Sequence, residues 1–191
     1  MLDHWKPPGD GPIVCGQRLS LPLTLGHIFL LAECGSPLLY GGPILPGDVA
    51  LASVICSQDH KEARKDVGSW WIPLLMRFWG RFSRRDWDAE SDLLVAWFEE
   101  HATQPAVVRK GASSGKETAA PWWVNRTANA MTVLGMTYDE AVSLPLKTVS
   151  QLVIASAEAE GRVECWTDRQ QSFWDYCAEQ DALAEAANSR N

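Results

Sequence analysis

The chain has 191 residues, enough for one substantial hydrophobic core or two small ones. Apolar residues make up 46% and charged residues 21%, an ordinary globular balance, but ten tryptophans point to aromatic packing or a partner surface. The net charge is −7, and residues 122–191 carry 5 basic against 10 acidic side chains, which argues against nucleic-acid binding by that half.

Residues 1–20 are rich in proline and glycine and read as an irregular arm. Thr24 then caps a helix with Leu25, Ile28, Phe29 and Ala32 on one face, ending near Gly35-Ser36-Pro37. Turns follow at Gly41-Gly42-Pro43 and Pro46-Gly47. Asp48 or Pro46 opens a short helix through Val49, Leu51, Ala52, Val54, Ile55 and Cys56, whose apolar content marks it as buried. His60 to Val67 is a mixed, charged segment. In residues 69–82, Trp71, Leu74, Leu75, Phe78 and Phe82 recur at helical spacing, and Arg77, Arg81 and Arg84 or Arg85 form a second stripe. A helix from about Asp88 to His101 uses Leu93, Leu94, Ala96, Trp97 and Phe98.

Residues 103–121 change character: Gln104-Pro105 breaks the helix, and Arg109 to Thr118 is small, polar and without periodicity, as in a linker. Beyond it, a helix over Trp122–Leu134 ends at Gly135, which suits a left-handed C-cap. Thr137 caps the next, with Glu140 three residues on completing a capping box. Leu144-Pro145-Leu146 stops that short helix and starts a longer one to about Glu160, since proline is tolerated only in a first turn. Residues 161–164 form a brief extended link to a terminal helix from about Thr167 to Ala187. The class is mainly α, a small helical bundle. Its natural division is an N-terminal helical lobe at 1–102, a flexible linker at 103–121 and a C-terminal helical lobe at 122–191.

No pattern organises a catalytic group. Cys56 and His60 lie four apart and would share a helix face as metal ligands do, with Cys34 and Cys15 completing four. Without CxxC or HxxxH spacing, the plainer reading puts Cys56 in the core and His60 at the surface. The five cysteines (Cys15, Cys34, Cys56, Cys165, Cys177) are odd in number and suit reduced thiols in a cytosol. His27, on an apolar helix, reads as a satisfied core histidine. The four histidines are scattered, and no serine lies in a nucleophile turn. Asp139-Glu140 are explained by a helix start, where acids are favoured. Gly111 to Lys116 lacks phosphate-loop spacing. Neither a cofactor nor a metal is expected. The start of the chain lacks the charged and apolar regions of an export signal, and no apolar run reaches the roughly 18–20 residues that span a bilayer, so no membrane role is expected.

The Arg77/Arg81 stripe with Trp70, Trp71, Phe78, Trp79 and Phe82 is the sharpest chemical feature. It suits an acidic protein partner, the plainer alternative being a core helix whose arginines form a solvated face or pair with Asp86, Asp88 and Glu90.

The run Leu134-Gly135-Met136-Thr137-Tyr138-Asp139-Glu140-Ala141-Val142-Ser143-Leu144-Pro145-Leu146, continued by Ile154-Ala155-Ser156-Ala157-Glu158-Ala159-Glu160-Gly161, resembles a pattern of small tailed-phage proteins. Leu23-Thr24-Leu25-Gly26-His27 through Gly35-Ser36-Pro37 resembles the opening of phage and prophage proteins encoded among tail genes. Together the two blocks cover about half the chain and resemble a tail assembly chaperone. The resemblance implies a non-enzymatic protein in the cytoplasm of the bacterial host that binds the phage tape-measure and tail-tube proteins, with a homo-oligomer left open. The alternative is a structural virion component such as a head–tail connector or tail-completion protein. From residue type, the partner-binding candidates are Trp70, Trp71, Arg77, Trp79 and Arg81 in one lobe and Trp122, Trp123, Tyr138 and Trp166 in the other.

Overall fold

The helix expected after Thr24 forms as α1, Leu25–Glu33, and among the described residues five other helices pack against it. The computed structural model describes residues 11–19, 22–69, 85–102, 107–109, 119–161 and 163–165. Among these the protein is mainly helical, with two short two-stranded sheets. After α1 come α2 (Pro37–Tyr40), α3 (Pro46–Cys56), α4 (His60–Val67), α5 (Trp87–Ala102), α6 (Trp122–Leu134), α7 (Tyr138–Ser143) and α8 (Leu146–Ala159).

Local chemistry sets most helix ends. Pro46 occupies the first turn of α3, where a missing N–H costs nothing, and the Asp48 carboxylate accepts the Leu45 N–H at 2.9 Å. Gly135 ends α6 at φ 66°, a conformation that would strain any residue with a Cβ. Thr137 then accepts the Glu140 N–H at 3.4 Å, while Glu140 accepts the Thr137 N–H at 2.8 Å, closing the expected capping box. Pro145 precedes the first residue of α8. The Leu146 N–H, an orphan donor at that helix start, donates to the Leu23 carbonyl at 2.7 Å.

Tertiary packing revises the pattern within α1. Leu25, Gly26, His27, Ile28, Leu30 and Leu31 are all buried, and Phe29 and Ala32 only partly so. A one-faced helix was expected; instead α2, α3, α4, α6 and α7 surround it. At about 1.5–3 kcal/mol per fully buried large aliphatic side chain, this arrangement outweighs the exposed Arg64–Glu33 ion pair that joins α4 to α1. The core continues through Val49, Ala52 and Ile55 of α3, Leu94 and Trp97 of α5, Trp123 and Ala130 of α6, Val142 of α7, and Leu146 and Val149 of α8. Residues on both sides of 103–121 contribute to that core.

Three local expectations are corrected, and one short helix was not anticipated. Within the arm read as irregular, Ile13–Val14 (β1) and Gln17–Arg18 (β2) form an antiparallel hairpin. Its two-residue turn, Cys15-Gly16, has φ of 53° and 79°, the doubly positive conformation that matches strand twist. The first helix ends before Gly35-Ser36-Pro37 as expected, but Pro37 then starts the unanticipated one-turn helix α2. The charged stretch at His60–Val67 is a helix because the Asp59 carboxylate caps it, accepting the Lys61 N–H at 2.8 Å. Val107–Arg109 (β3), inside the expected linker, pairs antiparallel with Val163–Cys165 (β4), so Val163 and Glu164 are extended as anticipated, whereas Gly161 forms a turn at φ 71°. Residues 110–118 and the expected terminal helix lie outside the described residues.

Candidate partner-binding surface

Trp122 and Trp123 are consecutive in the first turn of α6, so their side chains diverge by about 100° around the helix axis. Trp123 turns inward and is 5% exposed, whereas Trp122 remains 39% exposed. Trp123 was expected to meet a partner; it belongs to the core because α1 and α8 both pack against α6. Its ring nevertheless supports the surface above it. Tyr40, the last residue of α2 and 60% exposed, meets Trp123 edge-on at 5.8 Å and 85°. Trp122 meets it at 5.6 Å and 86°. Two exposed aromatic rings thus stand perpendicular to one buried indole, the arrangement the ring quadrupoles favour.

Arg126, one turn along α6, places its guanidinium 5.7 Å from the centre of the Trp122 ring. Its Nη1 donates to the Ser150 hydroxyl of α8, which in turn donates to the Leu146 carbonyl at 2.7 Å. Half-buried, the guanidinium is pulled below the usual arginine range by desolvation. Among the described residues no carboxylate lies within ion-pair distance of it.

Tyr138 is 50% exposed at the start of α7 and leans on Phe29 at 6.2 Å. Trp70, Trp71, Arg77, Trp79, Arg81 and Trp166 lie outside the described residues. Arg85 is described, and it pairs with Glu90 at 3.0 Å. The other Glu90 oxygen accepts the Cys15 N–H at 2.7 Å and so ties the hairpin to α5. Of the α5 tryptophans, Trp97 is buried 4.4 Å from the His101 ring and Trp87 is half-buried. Sequence reasoning missed Tyr40 and Arg126. Tyr40 is brought to Trp123 only by packing, and Arg126 carried a readable signal as the residue one turn beyond an N-terminal tryptophan.

The metal-ligand and nucleophile candidates resolve into structure. Cys56 ends α3, and Asp59 begins a new helix before His60, so the two do not share a helix face. The Cys56 thiol, enclosed by the core, is pushed up to about 12. His60 is buried, not at the surface: its ring lies against Gly26 and meets the His27 ring edge-on at 6.0 Å. Among the described residues no three His, Cys, Asp or Glu side chains converge as metal ligands do. His27 is the satisfied core histidine expected. Its Nδ1 accepts the Thr24 N–H at 3.1 Å and its Nε2 donates to the Gln58 carbonyl at 2.8 Å, an assignment that makes it neutral. Among the described residues no helix is long and apolar enough to cross a membrane.

Comparison of the chain with known protein families, with curated proteins and with solved structures finds no match.

Proposed function

We propose that this chain is a protein-binding helical protein that acts in phage tail morphogenesis as a tail assembly chaperone, shielding apolar helical surface of the tape-measure protein, and that it is not an enzyme. The observation that supports a binding role is that the exposed rings of Tyr40 and Trp122 both rest on the buried Trp123, with a half-buried cation beside Trp122. Exposed, pre-ordered aromatic rings next to arginine are the composition of interface anchors, because they bury much area with little loss of side-chain freedom. The assignment to tails draws on the two sequence blocks described above, one spanning the Thr137–Glu140 capping joint and the other the Thr24–His27 start of α1.

Co-expression with a candidate tape-measure protein tests the reading. Rescue of that protein's solubility, with a complex recovered on gel filtration, is the expected result. Absence of both rejects the chaperone role. Recovery of this chain at stoichiometric amounts in purified particles would instead assign it to the virion.

A further inference from the structure

Burying a cation without an anion is unfavourable, and the usual remedy is a carboxylate on a neighbouring element. Arg126 lacks that remedy among the described residues: its contacts are the neutral Ser150 hydroxyl and the face of Trp122. Trp122 also belongs to an aromatic cluster, since it and the exposed Tyr40 each meet the buried Trp123 edge-on. A polypeptide seated on those rings would exclude water from Arg126 and raise the value of any negative charge it brought there. Two aromatic rings set at right angles to a third also resemble a receptacle for a cation. Arg126 already supplies one at Trp122, and a second positive charge would be repelled.

We propose that Tyr40, Trp122 and Arg126 form a docking site for a partner segment that presents a carboxylate beside a large apolar side chain. The apolar side chain rests against the two exposed rings, and the carboxylate accepts hydrogen bonds from the guanidinium. Trp123 and Ser150 act as supports: one orients the rings and the other holds Arg126 at the edge of the patch. This inference rests on the protein-binding part of the proposed function and is independent of which protein the partner is.

Panning a display library of random short peptides against the full-length chain tests it without any tail protein, so this experiment and tape-measure co-expression can fail separately. Enriched peptides are expected to carry Asp or Glu next to Leu, Phe or Trp. Their affinity should fall about tenfold for Arg126→Gln, and by a similar factor when the peptide's own carboxylate is replaced by its amide. The peptide-side change requires no alteration of the protein, and Tyr40→Ala, at a mostly exposed position, gives a second loss that does not depend on α6 tolerating substitution. Enrichment of basic peptides, enrichment without acidic residues, equal affinity of the acid and amide peptides, or no enrichment at all would overturn the proposal.

Discussion

Two helices of this protein begin with the same reciprocal cap and lead opposite lives. At α7, Thr137 and Glu140 exchange hydrogen bonds at the surface, and the carboxylate stays charged, held below the usual range by the Thr137 N–H and then by its hydroxyl. At α1, Thr24 and His27 occupy the same positions, the cap and the third helical residue, at a helix start enclosed on nearly every side. There a carboxylate would bring an unpaired charge into the core. Imidazole can accept the capping N–H on one nitrogen while remaining neutral, and its other nitrogen is free to donate to Gln58. The difference teaches that a cap is chosen by its surroundings as much as by its helix. The exposed cap organises a turn, while the buried one also joins α1 to the α3–α4 connection.

That contrast can be broken most severely at His27. His27→Ala removes a buried ring and strands the Thr24 N–H and the Gln58 carbonyl, so a loss of about 3–4 kcal/mol is expected in urea unfolding. A loss below about 1 kcal/mol would show that the ring is not a structural tie. Gly26→Ala comes next. A methyl there would lie 2.5 Å from Cγ of His60, so α1 and α4 must separate, at a cost of about 1–3 kcal/mol. Hydrogen exchange should report the weakening first in α4.

Acid sharpens the comparison. Burial is the leading cause that holds His27, His60 and His101 below the usual histidine value of 6.5. The groups facing His60 have mixed signs: Asp59 and Asp139 favour its protonation, and Lys61 and Arg64 oppose it. Below pH 6.5 the unfolded chain takes up protons that the native state resists, so stability is full above that value and declines as pH falls toward the lowered native values. Unfolding midpoints measured from pH 7.5 to 5 should therefore decrease, and His27→Gln should flatten part of the slope. A slope unchanged by that substitution would remove His27 from the account.

The exposed cap yields a smaller effect: Thr137→Ala should cost about 1 kcal/mol, the usual value of an N-cap. Smallest for stability is Tyr40→Ala, expected within about 0.5 kcal/mol because most of the ring is already in water. The same substitution should nonetheless weaken capture of the partner, which separates a binding residue from a structural one.

Much of the secondary structure was legible because its signals are local. Thr24, Thr137 with Glu140, Gly135, and Pro145 before Leu146 act within one turn, and each was readable without knowledge of the fold. The α4 cap was equally local: Asp59 with Glu62 three residues on carries a helix-start pattern, and the density of charge concealed it. Strand β3 was hidden for a different reason. Val107-Val108 is too short to show alternation, and its partner is more than fifty residues away in the chain.

The candidate surface was only half legible. By itself the sequence determined that two adjacent indoles open α6 and that a helix must point them in different directions. Which one would be buried depended on where α1, α2 and α8 packed, and only the tertiary structure placed Trp123 in the core, Tyr40 over it and Arg126 beside Trp122 without a carboxylate among the described residues. Caps and turns are settled by neighbours a few residues apart. Burial and unpaired charge are properties of an assembled core, to which segments distant in the chain contribute together.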